Sequence, residues 1–257
     1  MSIEFDHQDG IALITINRPD RMNAMDAAHY DALSECWTRV RDDAAIRVAV
    51  VTGAGDKSFS AGADLKSFIT RDSPMAETWL TQARPLLNRG LEVWKPVVAA
   101  INGYCLGGGM TLMLATDIRV CVPHATFSLA EVKRGIIAAN GGTQRVMAQL
   151  PQAIAMEVLL LGERMDAATA LRWGLVNRIV EADELLPVAF DYARRLAANA
   201  PLAVQAAKEL ALRSKDVDLA TGLRLEVLAT RLLRSTEDAK EGALAFAQKR
   251  PAQFTGR

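Results

Sequence analysis

Two segments join a β-branched run to a turn of small residues: VVTGAGDKSFSAGADL at 50–65 and VVAAINGYCLGGGM at 97–110. Small residues let a ligand approach the main chain, leaving backbone N–H groups as the available donors. Two such donors converging on one oxygen would form an oxyanion hole, in which each donor is worth roughly 10²–10³ in rate. The plainer alternative is a pair of glycine turns that let strands and helices pack closely. Glycine costs about 1 kcal/mol in a helix relative to alanine. A helix opening at Gly107–Gly109 therefore accepts a penalty that needs a reason. Thr111 follows Gly108 by three positions, on the same helix face, and so is aimed at the same pocket.

Other chemistries fit these residues poorly. Neither glycine turn ends in Gly-Lys-Ser/Thr, and Gly103, Gly107 and Gly108 do not space as GxGxxG, so a nucleotide-phosphate cradle is not indicated. Ser60 has Ser58, not glycine, two positions before it, so it is not a GxSxG nucleophile. His7, His29 and His124 are isolated, with no HExxH, so no metal site is expected.

The elements that must carry the turns can be read from pattern and punctuation. IEF and IALITIN flank Gln8-Asp9-Gly10 as a hairpin. Asp26 suits the N-cap of a helix running to about Asp43. IRVAVVTG and KPVVAAING are buried strands, with DIRVCV and the brief TFSL as further strands. From Gly141 helical periodicity dominates, with breaks expected near Pro151, Gly162, Gly174, Pro187 and Pro201. Strands should alternate with helices to about residue 180, followed by a largely helical tail. The apolar run Val97 to Thr116 approaches membrane-span length, but Asn102 and its glycines make a buried strand, turn and helix the better reading.

Composition sets the outer bounds. The 257 residues suffice for one large domain, or one with an appendage. Thirty basic residues balance thirty acidic ones, giving no reason to expect nucleic-acid or membrane-surface binding. Cys36, Cys105 and Cys121 form no CxxC pair, which suits reduced thiols in a cytoplasmic setting. The N-terminus MSIEFDHQDG lacks the basic-then-apolar pattern of an export signal.

Six segments then combine: NRPDRMNAM, FSAGADLK, INGYCLGGGM, FSLAEVKRGI, NGGTQR and TEDAKEGALAFAQKR. Each alone is weakly specific. In this order and spacing they resemble, nearly end to end, the crotonase (enoyl-CoA hydratase/isomerase) superfamily. The resemblance implies an α/β fold, a crotonase-like ββα spiral over residues 1–195. A C-terminal α-helical region, 196–257, would support a homotrimer, commonly paired into a hexamer. It implies an acyl-CoA thioester substrate, with coenzyme A entering as part of it and no separate cofactor, metal, nucleic acid or membrane. By motif match the N–H groups of Ala61 and Gly108 would hold the thioester oxygen, and Glu131 would be the catalytic acid-base. Arg21, Ala24, Gly62, Ala63, Asp64 and Leu65 would line the CoA and substrate site, together with Ala61 and Gly108, and Lys249 would contact CoA. Typical hydratases carry a second glutamate where this chain has Thr111, whose hydroxyl cannot act as a base near neutral pH. Some relatives carry an aspartate where this chain has Ala139, so their chemistries are not expected here. The reading is an enoyl-CoA hydratase working with one glutamate. The alternatives are a Δ3,Δ2-enoyl-CoA isomerase, a specialised hydratase-lyase, or a non-catalytic CoA-binding relative. Pocket width is expected to depend on Lys66–Arg84 and the helical tail.

Overall fold

The computed structural model describes residues 3–64 and 85–257. Leu65 and all of Lys66–Arg84, expected with the helical tail to set pocket width, lie outside the described residues. The chain opens with β1 (Ile3–Gln8) and β2 (Ile11–Ile16), paired antiparallel across Asp9-Gly10, the expected hairpin. Helix α1 (Ala27–Asp42) begins where expected, with the Asp26 carboxylate accepting the His29 N–H at 3.2 Å. Its buried stripe of Leu33, Trp37 and Val40 recurs at helical spacing.

The larger sheet runs β1-β2-β3-β5-β7-β10, parallel from β2 onward. Its centre is β3 (Val48–Gly53) and β5 (Val97–Ile101), every residue of which is buried. Continuous apolar runs are what a parallel sheet covered on both faces requires. β7 (Ile118–Cys121) and the short β10 (Arg178–Ile179) complete it. A smaller sheet, β4-β6-β8-β9, is built from β4 (Ser58–Ser60), β6 (Tyr104–Leu106), β8 (Thr126–Ser128) and β9 (Met165–Asp166). Both glycine-rich turns thus follow strands of this small sheet: β4 leads into 61–64, and β6 leads into 107–109. The Val97–Thr116 run resolves into β5, β6 and α2 (Gly108–Met113), and among the described residues no helix is long and apolar enough to cross a membrane.

Helices α3 (Gly142–Gln149), α4 (Gln152–Leu161) and α5 (Ala167–Arg172) follow, broken at Pro151, Gly162 and Gly174 as expected. Pro187 is not a break. It sits in the first turn of α6 (Leu185–Ala197), where a missing N–H would have had no helical acceptor anyway. α6 lies against β3, β5 and β7. The tail comprises α7 (Pro201–Arg213), α8 (Leu219–Arg234) and α9 (Glu237–Gln248).

Asn23 joins several of these pieces. It is fully buried and left-handed, with φ of 54°, a conformation asparagine tolerates better than most residues. Its Nδ2 donates to Ala54 O (2.9 Å) and Ser58 O (2.6 Å), and its Oδ1 accepts the Arg18 N–H (2.9 Å). Replacing it with alanine removes three hydrogen bonds and leaves buried backbone groups unpaired. We expect Asn23→Ala to cost about 3 kcal/mol, since each unsatisfied buried group costs ~1–3 kcal/mol. The check is a lower urea midpoint at unchanged slope; a loss under ~1 kcal/mol would show that the turn holds without it.

Candidate active site

The 58–64 segment is stitched to the loop ahead of α1. Ala61 N–H donates to Met22 O at 2.9 Å, a carbonyl that also accepts the Ser58 hydroxyl. The Ser60 hydroxyl donates to Asn23 O and accepts the Gly62 N–H. Met25 and Ala63 form a parallel bridge, in which Met25 N–H donates to Gly62 O and Asp64 N–H donates to Met25 O, both at 2.8 Å. Arg18 Nη1 closes the loop by donating to Asp64 Oδ2 (3.0 Å) and Ala24 O (3.2 Å).

This corrects the expected donor. The Ala61 N–H is already bound to Met22 and is not available to a ligand. The Ala63 N–H shares a trans peptide with the Gly62 carbonyl, and the two ends of a trans peptide point in opposite directions. Because Gly62 O faces Met25, Ala63 N–H faces away, and Ala63 lines a cavity of about 640 Å³. The same rule fixes Gly108. Gly107 O accepts the Thr111 N–H within α2, so the Gly108 N–H points back out of the helix start. Neither N–H has a protein acceptor among the described residues.

The two turns meet backbone to backbone. A Cβ on Gly62, whose φ is +90°, would fall 2.7 Å from Gly108 N and 2.8 Å from Leu106 O. A Cβ on Gly108 would fall 3.4 Å from Ala63 N and 2.8 Å from the Tyr30 hydroxyl. Only glycine permits this approach, which brings the two outward N–H groups to one region of the cavity.

Glu131 faces the same place. It lies on the 3₁₀ turn Ala130–Arg134 that follows β8, and the turn ends at left-handed Gly135. Ser128 anchors that strand's end: its carbonyl accepts the Gly107 N–H at 2.8 Å, and its hydroxyl donates to Gly162 O. A Cβ on Gly107 would sit 3.4 Å from Glu131 Oε1, so the carboxyl overhangs the glycine turn. Its Oε2 is buried without a hydrogen-bond partner. Burial raises its pKa above the usual glutamate value, with its own backbone N–H and the Arg134 charge pulling the other way.

Thr111 is buried and lines the cavity, but its hydroxyl is engaged. It donates to Gly108 O at 3.0 Å and receives Asn88 Nδ2 at 3.2 Å. Arg21 points away, its side chain 60% exposed beside Asp20. Ala24 and Asp64 hold the loop through Arg18 and do not line the cavity. Lys249 caps the end of α9 in a left-handed conformation, exposed and outside the cavity lining.

Tyr30 was not singled out by the sequence. Its hydroxyl reaches the cavity beside Gly108, and burial, first of all, pushes its pKa up to about 12, so it is protonated at neutral pH. No local motif marks a tyrosine one turn into an amphipathic helix as a site residue. Asn88 and Arg18 are likewise recognisable only from long-range contacts.

The chain is similar to known proteins along nearly its whole length. The family model for enoyl-CoA hydratase/isomerase matches residues 6–257. An (E)-benzylidenesuccinyl-CoA hydratase of Thauera aromatica is 44% identical over 256 residues, all of both chains. A carnitinyl-CoA dehydratase of Salmonella arizonae is 42% identical, covering 99% of this chain and 98% of its own. Among solved structures, an enoyl-CoA hydratase from Bacillus anthracis superposes over the full length of both chains with a TM-score of 0.93 at 34% identity. One from Mycobacterium marinum covers 100% and 99% of the two chains, with a TM-score of 0.89 at 38% identity. With its crotonase fold and full-length match, the chain belongs to the enoyl-CoA hydratase/isomerase family, as an acyl-CoA enzyme of the hydratase type.

Proposed function

We propose that the chain adds water across the double bond of a 2-enoyl-CoA thioester, with Glu131 as the sole catalytic carboxylate. The observation that carries this reading is the meeting of two outward N–H groups, Ala63 and Gly108, beneath a half-buried carboxyl with one buried, unpartnered oxygen. The N–H pair takes the thioester oxygen. Glu131, ionised, removes a proton from water as its oxygen bonds to Cβ, and the displaced electron pair moves onto the thioester oxygen as an enolate. The same carboxyl, now protonated, returns the proton to Cα as the enolate collapses. Arg21, Ala24 and Asp64, which lie outside the cavity lining, would mark the strap along which the CoA portion runs. Lys249 has no support from the geometry of this chain. Coenzyme A arrives with the substrate, and no step needs a resident cofactor.

One specific observation favours a second reading. With Thr111 in place of a second acid, a single carboxyl suits moving a double bond from C3 to C2. The names of the relatives, a hydratase and a dehydratase, favour water chemistry. We also propose that α7–α9 form the contacts of a trimer or a pair of trimers, supported by the exposure of Leu219, Leu232 and Phe246.

Incubation with 2-enoyl-CoA and 3-enoyl-CoA thioesters separates the readings. Hydration of the former, lowered ~10²–10⁴-fold in kcat by Glu131→Gln, is the expected result. Isomerisation of the latter with no water addition to any 2-enoyl-CoA would overturn it. In Gly62→Ala the new methyl must displace backbone at Gly108. It should lose at least ~10²-fold in kcat, the scale of one lost donor, while remaining folded by circular dichroism.

Glu131 also makes a prediction about stability. A carboxyl whose folded pKa is raised favours the native state while protonated, and that contribution is lost as pH rises through the folded pKa. Glu131→Gln should therefore raise the melting temperature at pH 7, with the gain shrinking toward pH 4. A variant less stable than wild type at pH 7 would contradict this.

A further inference from the structure

The two walls of the cavity differ in charge. The wall formed by Ala61, Ala63, Leu106, Gly107, Gly108 and Thr111 contributes no ionisable side chain. The other carries Glu131 and Glu163 but also Lys133, Arg134 and Arg164. None of these three cations has an ion-pair partner among the described residues. This sets them apart from Arg18, Lys208, Arg213 and Arg250, each of which holds a carboxylate at 3.3 Å or less.

Their positions are also partly fixed. The Arg164 guanidinium lies over the Tyr104 ring, 4.8 Å from its centroid, which leaves its N–H edges for a planar anion. Arg134 Nη1 donates to Ala130 O at 3.1 Å, which holds the guanidinium against the turn that carries Glu131. Arg21, Ala24 and Asp64, on the CoA strap, lie outside the cavity lining. The part of the substrate inside the cavity is then its acyl end.

We propose that the acyl group accepted here carries a carboxylate beyond the reacting double bond, received by Arg134 and Arg164 with Lys133 adding positive charge. This rests on the hydratase reading and narrows it. Guanidinium groups suit a carboxylate because two parallel N–H donors can meet its two oxygens. Ile136 and Ile137, 54% and 74% exposed on the same wall, offer apolar surface to the rest of the acyl group.

The test compares two substrates within one enzyme: a 2-enoyl-CoA whose chain ends in a free carboxylate, and its methyl ester. Wild type should prefer the acid in kcat/KM by on the order of 10- to 100-fold, the scale of a charge-assisted hydrogen-bond pair. In Arg134→Gln/Arg164→Gln that preference should fall to about one, mostly through KM. The ester serves as the reference for fold and for CoA binding. Equal loss on both substrates would assign these cations to the CoA phosphates or to the fold and overturn the proposal, as would a wild type without preference. If neither substrate is hydrated, calorimetric binding of the saturated acid and ester thioesters decides the point separately. A preference for the acid that disappears in the double variant would uphold the anion site while the hydratase reading falls; equal binding would remove both.

Discussion

The site depends on one constraint: the backbone of residues 61–64 is bonded on one side to the loop at 22–25. Met22 O holds the Ala61 N–H, and Met25 is bracketed by Gly62 O and Asp64 N–H. Since peptide groups are rigid and trans, fixing Gly62 O toward Met25 aims the Ala63 N–H toward the cavity. An N–H that faces the cavity is thus placed by a neighbouring loop residue, Met25, that does not line it. The loop can serve as this template because consecutive left-handed residues, Met22 and Asn23, turn it sharply and the Asn23 side chain satisfies groups that would otherwise be orphaned.

A second clamp holds the carboxyl over the donors. Ser128 ties the end of β8 to Gly107 through its carbonyl and to Gly162 through its hydroxyl. Gly162 in turn packs so near Ala130 that a Cβ there would lie 3.0 Å from its Cα. The chain leading into Glu131 is therefore held at two points, Ser128 and Ala130. The carboxyl it presents is partly desolvated and poorly satisfied. That is unfavourable for folding and favourable for proton transfer, because desolvation moves the group toward the pH at which it can both take and return a proton.

Much of this was legible in the sequence because it is local. Asp26 as a cap, the buried runs of β3 and β5 and the helix breaks at Pro151 and Gly162 follow from residue type and spacing. So do the two turns of small residues, which the fold brings together backbone to backbone. What was not legible is phase and distance. In Ala61-Gly62-Ala63 both alanines are small and neutral, and only the pairing with Met25 decides which N–H faces inward. The Asn88 contact to Thr111 spans 23 residues, and Tyr30 enters from a helix whose pattern speaks only of its buried stripe. Pro187 misled because a proline in a first helical turn resembles one that ends a helix.

The same geometry explains why this site works around a threonine. Thr111 is held at both ends of its short side chain. Its hydroxyl is bonded to Gly108 O and Asn88, and its methyl lies where a Cβ on Gly142 would come within 2.7 Å. A glutamate placed here would have to displace Asn88 or the start of α3, and it would carry a charge into a position already almost closed to solvent. The wall around Thr111 is thus built for a small neutral residue. The bond to Gly108 O also stiffens the first turn of α2, whose N–H is one of the two donors. Thr111 then helps to hold the turn that presents the Gly108 N–H, and in the proposed hydratase reading the proton chemistry is left to Glu131.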